Sequence, residues 1–223
     1  MPFESIRKTA EADFPTRWGH FRIFGFVGTR SVETSPTGSE MAPAQIGQPE
    51  EMIALVMGDV SSAPPIVRVH SQCLTGDVFG SLRCDCRLQL EMALRAISEA
   101  GAGILLYELQ EGRGIGLMPK LQAYALQDNG LDTVEANEQL GFKPDHRVFE
   151  LPAEVLKLMG ITQVRLMTNN PDKVAAMEMA GVRVVDRLSA VVESQESFEK
   201  YLQVKRDKMG HLSDETEVKP VKS

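Results

Sequence analysis

In the N-terminal third of the chain the apolar positions gather into short runs rich in β-branched and aromatic residues. "WGHFRIFGFVG" (18–28), "EMIALVMG" (51–58) and "PPIVRVHSQ" (64–72) read as strands, the last entered through Pro64 and Pro65. Between the first two, "TRSVETSPTGSEMAPAQIGQPE" (29–50) is rich in Ser, Thr, Pro and Gly without a sustained apolar period, which predicts a long surface loop. After Cys86 the period changes. "RLQLEMALRAISEAG" places Leu90, Leu94 and Ile97 on one helical face and Glu91, Arg95 and Glu99 on the other, with Gly101 as the stop. "AGILLYEL" (102–109) is the short apolar run of a buried strand, and "QEGRGIGL" (110–117) is a glycine-punctuated turn into a helix over 118–130. "TVEANEQLG" (133–141) predicts a helix capped by Thr133, and "AEVLKLMG" (153–160) a second short one. "TQVRLMT" (162–168), "NPDKVAAMEMAG" (170–181) and "VRVVDRL" (182–188) form a strand–helix–strand unit. A last amphipathic helix covers about 193–209, and "SDETEVKPVKS" (213–223) reads as a disordered tail.

This order predicts an α/β fold on a mixed sheet, with an antiparallel, β-rich N-terminal part and a strand–helix–strand C-terminal part. One domain spans 1–212, with 29–50 as a loop insertion. The 43% hydrophobic and 25% charged residues are ordinary for a soluble globular chain. A net charge of −7 argues against a non-specific nucleic-acid binder, but not against an anionic small ligand held by local arginines. The N-terminus lacks the apolar segment of a signal peptide, and no apolar run nears the roughly 18 residues that span a bilayer. The chain reads as cytoplasmic, with neither nucleic acid nor membrane as partner.

All three cysteines, Cys73, Cys84 and Cys86, fall inside "CLTGDVFGSLRCDC". Free cysteines are often core filler, but Gly76, Asp77, Arg83, Asp85 and Arg87 are not core neighbours. A redox pair is disfavoured, because one intervening residue strains a disulfide and Cys-x-x-Cys is absent. Three thiolates suit a tetrahedral Zn²⁺ with one position open for water, whose pKa then falls to about 7. The start of the next helix favours the thiolates of Cys84 and Cys86. His70 is a candidate fourth ligand, although an odd offset along a strand turns it away from Cys73. The pattern of zinc deaminases, His-x-Glu with Pro-Cys-x-x-Cys, is absent.

Three further stretches carry candidate anion contacts. "QEGRGIGLMPK" sits where backbone N–H groups cradle anions, yet fits neither the Walker A nor the dinucleotide spacing. In "TNNPDKV", Asn170 caps a helix, Pro171 takes its first position, and Lys173 opposes the helix dipole unless an anion is near. Phosphate binding and a plain strand–helix junction both account for it. "KPDHRVF" places Asp145 and Arg147 in a loop, where composition alone favours a surface ion pair.

Together "RVHSQCLTGDVFGSLRCDCRLQLE", "LLYELQEGRGIGL", "AYALQDNGLDTVEANEQLGF", "DHR" and "VRLMTNNPDKV" closely resemble GTP cyclohydrolase II, in that family's order and spacing. The resemblance covers roughly 64–190 and extends weakly upstream. It implies that fold, and Cys73, Cys84 and Cys86 as ligands of one zinc per subunit, completed by water. It implies GTP contacts at Arg68, Val69, His70, Ser71, Gln72, Gln89, Glu111, Gly112, Arg113, Thr133, Thr168 and Lys173. Asp145 matches the proton acceptor, Arg147 a proposed nucleophile, and Tyr124 a tyrosine needed at the purine ring. The implied reaction opens riboflavin biosynthesis. GTP, with Mg²⁺ on its triphosphate, gives 2,5-diamino-6-(5-phosphoribosylamino)pyrimidin-4(3H)-one, formate and pyrophosphate, and the implied assembly is a homodimer. A guanidinium is hard to deprotonate, so electrostatic stabilisation of pyrophosphate is the alternative role for Arg147. This chain departs from the family at Gln72, where glutamate is usual, at Met52, where histidine is expected, and in the length of 29–50. Gln72 motivates a second reading, a variant that stops at the formamidopyrimidine. A non-catalytic nucleotide binder with structural zinc is the third.

Overall fold

The computed structural model describes residues 3–30, 49–143, 145–192 and 198–211, without the side chains of Thr133, Lys200, Lys205, Arg206, Lys208 and Met209. The loop expected over 29–50 lies largely outside these residues, as do 193–197 and the tail. The N-terminal strands form a meander: β1 (Ser5–Thr16), β2 (Gly19–Thr29) and β3 (Glu50–Met57) pair antiparallel in turn. Sequence periodicity does not predict β1. It is an edge strand exposed along nearly its whole length, so "SIRKTAEADFPT" carries no in–out alternation.

The remaining elements are β4 (Ile66–Ser71), α1 (Leu74–Asp77), α2 (Cys86–Ala100), β5 (Gly103–Glu108), a 3₁₀ turn (Glu111–Gly114), α3 (Leu117–Asp128), α4 (Thr133–Gln139), α5 (Glu150–Leu158), β6 (Gln163–Met167), α6 (Pro171–Met179), β7 (Arg183–Leu188) and α7 (Glu199–Met209). They complete one seven-stranded sheet in the order β1-β2-β3-β5-β4-β6-β7, with β5, β4, β6 and β7 parallel. Two boundaries differ from expectation for local reasons. The cap of α4 is Asp132, not Thr133: its carboxylate takes the Val134 and Glu135 amides while Glu135 returns to the Asp132 amide. Helix α5 starts at Glu150, because Pro152 lies in its first turn, where no amide donor is required. Gly101 ends α2 in the left-handed conformation, as its position suggested.

The sheet buries both faces. Val67, Val69, Ile104 and Leu106 pack under α5 and α6 with Leu156, Val164 and Met177. Ile66, Leu105 and Met167 pack under α2 with Ala93, Leu94 and Ile97. Consecutive β4 residues therefore face opposite layers. The chain runs from β4 through α2 to β5 on one side and later enters β6 on the other, so the ends of β4, β5 and β6 open onto a crevice. Parallel sheets bind ligands at such a switch. No described helix is long and apolar enough to cross a membrane.

Candidate active site

Cys73 leaves the end of β4 as the cap of α1, and Cys86 is the first residue of α2 with Cys84 two positions before it. The single turn of α1 folds the chain back on itself, and Gly76 makes the approach possible. A Cβ there would stand 3.0 Å from Cys84 Sγ and 3.2 Å from Cys73 Sγ. Asp77 pins the loop: its carboxylate accepts from the Cys73 amide at 3.0 Å and the Tyr107 hydroxyl at 2.8 Å, and lies 3.2 Å from His70 Nε2. The parallel register sets His70 opposite Tyr107, and their rings stack 5.5 Å apart. His70 is thus committed to Asp77 and is not in the cysteine group, which answers the question of a fourth ligand.

The three cysteine sulfurs lie within 4.8 Å of one another, the one such cluster of metal-ligating groups among the described residues. Cys73 and Cys84 sulfurs are 3.7 Å apart, matching the roughly 3.8 Å that two zinc–sulfur bonds of about 2.3 Å subtend in a tetrahedron. Hydrogen bonds from Cys84 and Cys86 pull the Cys73 thiol far below its ordinary range. Its partnership with Cys73 pushes Cys84 up to about 11, and Cys73 and Cys84 push Cys86 well above its ordinary value. One thiolate is easy and three are not, unless a cation shares them. The donor set fits zinc.

These sulfurs face a cavity of about 430 Å³ that also bears Gln72, Glu111, Gly112, Arg113, Lys120 and Tyr124. Tyr124 hydroxyl lies 3.2 Å from Thr75 Oγ1, two residues beyond Cys73. Lys120, one turn earlier on α3, reaches Cys73 Sγ (3.2 Å), Thr75 Oγ1 (3.0 Å) and Glu111 Oε1 (2.8 Å). The second Glu111 oxygen takes the Leu74 amide at 2.6 Å. Arg113 is the one described non-glycine residue with positive φ (59°), following Gly112 at 62°. A left-handed arginine costs about 1–2 kcal/mol, and it aims the side chain into the cavity, where Tyr201 of α7 lies 5.6 Å from the guanidinium carbon.

A smaller chamber of about 70 Å³ adjoins the first and shares Ser71, Cys86, Arg113, Arg147 and Tyr201 with it. Its other walls include Arg68, His70, Gln89, Thr168, Asn170 and Lys173, and no carboxylate among the described residues. Arg68 bonds Gln89 Oε1 at 2.5 Å and the Met167 carbonyl at 3.0 Å, while its Nε and His70 Nδ1 are buried without a hydrogen bond. Asn170 caps α6 as expected. Lys173 is buried rather than solvated: it donates to the Val69 carbonyl at 2.8 Å, and burial pushes it down to about 7. Arg147 holds Asp145 through Nε at 2.9 and 3.1 Å. Burial works against both charges, yet the pair lowers Asp145 and raises Arg147 from their ordinary values. This is a half-buried pair, not the surface pair that composition favours: Arg147 lines both chambers, while Asp145 behind it lines neither. Burial pushes Glu108 up; it lies beneath, opposite Ser71 in register, and accepts its hydroxyl at 2.9 Å.

Most of the expected residues therefore converge on two adjoining chambers. Val69 differs, since its side chain lies in the core and only its carbonyl reaches Lys173. The Thr133 side chain lies outside the described residues; Asp132 lines the larger cavity. Sequence reasoning passed over Thr75, Asp77, Glu108, Lys120 and Tyr201. Only Lys120 left a signal, standing four residues before Tyr124 on one helical face.

Comparison with known proteins agrees with this geometry. The family model for GTP cyclohydrolase II matches residues 7–189. GTP cyclohydrolase-2 of Enterobacter sp. (strain 638) is 50% identical over 211 residues, covering 94% of this chain and 99% of that protein. The proteins of the same name from Cronobacter sakazakii (strain ATCC BAA-894) and Escherichia coli O9:H4 (strain HS) are each 50% identical over 208 residues, 93% of this chain and 97% of theirs. A solved structure, RibBX, a two domain 3,4-dihydroxy-2-butanone 4-phosphate synthase from A. baumannii, overlaps with a TM-score of 0.42 at 17% identity, over 85% of this chain and 41% of that one. The match runs from β1 to β7 and takes in all three cysteines and the arginines of both chambers: the chain belongs to the GTP cyclohydrolase II family.

Proposed function

We infer that this protein is a zinc-dependent GTP cyclohydrolase II, converting GTP to 2,5-diamino-6-(5-phosphoribosylamino)pyrimidin-4(3H)-one, formate and pyrophosphate at the entry to riboflavin biosynthesis. The observation that carries the reading is the junction of a three-sulfur wall with a carboxylate-free chamber rich in cations. A purine with a triphosphate tail needs both. Zinc held by Cys73, Cys84 and Cys86 supplies a Lewis acid and an activated water at neutral pH, the chemistry that hydrolysis at C8 requires.

The chain's own residues divide the remaining work. Tyr124, held against Thr75, is placed to donate or relay a proton beside the cysteines. Arg68, Arg113, Arg147 and Lys173 take the triphosphate, with Gln89, Thr168 and the 70–72 backbone as neutral contacts. The resemblance makes Asp145 a proton acceptor. Its pairing with Arg147 supports an orienting role as well, and supports Arg147 as a permanent charge for the leaving pyrophosphate rather than a nucleophile. Mg²⁺ in this reading rides on phosphate oxygens and water, since the chamber wall offers it no carboxylate. The homodimer stays part of the proposal, and gel filtration tests it. The test of function is incubation of zinc-loaded protein with GTP and Mg²⁺, assaying formate and pyrophosphate and identifying the pyrimidine by mass spectrometry. Equal yields of formate and pyrophosphate are expected. Absence of formate would overturn the reading, and a retained formyl group would favour the variant suggested by Gln72.

A further inference from the structure

Lys120 has no task in the reading above, yet it is among the most constrained side chains of the site. It is 11% exposed, and its three ammonium protons meet three acceptors: Glu111 Oε1, Thr75 Oγ1 and Cys73 Sγ. A buried lysine that needed only a counter-ion would be satisfied by Glu111. Its other two bonds go to the loop that carries the metal ligands.

The charges explain why that matters. Three thiolates around a divalent cation leave a net charge of −1, and each sulfur donates electron density that weakens the metal as a Lewis acid. A hydrogen bond from a cation to one sulfur withdraws part of that density, and losing such a partner of a ligand typically costs about 10- to 100-fold in metal affinity or activity. Glu111, the ion-pair partner, also accepts the amides of Gly112 at 2.7 Å and Leu74 at 2.6 Å. One ammonium–carboxylate pair thus ties Cys73 and the residue after it to the left-handed turn that aims Arg113.

We propose that Lys120 is a positioning residue for the reaction: through Cys73 and Glu111 it sets the charge presented by the metal and locks the cysteine loop to the substrate-binding turn. The proposal rests on the reading of the three cysteines as a zinc site. Its test replaces zinc with Co²⁺ in the full-length protein and follows the sulfur-to-cobalt charge-transfer band in the near ultraviolet. Lys120→Met, of similar length, removes the donor and should move the band to longer wavelength and weaken zinc binding about 10- to 100-fold, measured against a chromophoric chelator. Lys120→Arg, which keeps N–H donors, should restore the band. Lys120→Gln, which removes the charge but keeps an amide N–H, takes the place of the Met variant if that protein fails to fold, with a smaller shift in the same direction. A folded variant with band and zinc affinity both unchanged would overturn the proposal, whatever its turnover. Absence of a thiolate band in wild-type protein would instead overturn the zinc reading and the proposal with it, so the two failures are distinguishable.

Discussion

The two chambers share a wall but are built in opposite ways. The cysteine wall is local: fourteen consecutive residues, one turn of helix and one glycine bring three sulfurs together. The cation chamber is assembled from Arg68 within β4 and from Arg113, Arg147 and Lys173, which follow β5, α4 and β6, and these meet only because parallel strand ends converge. One concentrates negative charge for a metal, the other positive charge for phosphates. Under the proposed function the contrast predicts that the two halves of the reaction separate by mutation, and asymmetrically, since substrate must be held for either bond to break, whereas the metal would serve only one.

The largest expected effect lies in the chamber of cations. Arg147→Met removes the charge on the shared wall and should lower pyrophosphate and formate release together by about 10²–10³-fold; single-turnover assays with both readouts check this. A fall in formate alone would break the comparison from the phosphate side. Gly76→Ala comes next. Its Cβ would press on the sulfurs of Cys84 and Cys73, so zinc affinity should drop about 10- to 100-fold, with the rate of pyrophosphate release near wild type.

A smaller effect concerns protons. Lys173, pushed down to about 7 by burial, is mostly neutral at pH 8 in the free protein, and a bound triphosphate restores its charge. Calorimetry of a non-hydrolysable GTP analogue in buffers of different ionisation enthalpy should show uptake of about one proton at pH 8 and none at pH 6. Lys173→Met should abolish the uptake. The same depression means that the unfolded chain binds more protons between pH 7 and 10, so this lysine makes ligand-free stability rise with pH across that window. The smallest effect is on stability itself. Arg113→Gly relieves about 1–2 kcal/mol of left-handed strain against about 0.5–1 kcal/mol of glycine entropy. Its thermal midpoint should be no lower than wild type while affinity for the analogue falls. A lower midpoint would show that the arginine is there for the fold.

The same difference between local and convergent construction decides what could be read from the sequence. The strand and helix order, the cysteine site and the cap of α6 were legible because each rests on neighbouring residues. β1 was not, since an edge strand exposed on both faces shows no period. Asp145 and Arg147 looked like a surface pair, because nothing within "KPDHRVF" says that the loop closes over the end of β5. Lys173 could be suspected from its conflict with the helix dipole, but its burial against the Val69 carbonyl depends on the packing of α6 over β4. Glu108 and Asp77 were hidden for a similar reason, as each acts through a strand register or a helical turn that brings partners from elsewhere.

Separability is tested most directly with Cys84→Ser, because Cys84 lines only the larger chamber. The variant, with chelated wild type beside it, is given GTP and Mg²⁺, and formate and pyrophosphate are measured in the same reaction. The account predicts pyrophosphate release without formate, leaving the purine ring intact. Loss of both products together from folded protein, or formate release that survives both treatments, would contradict it.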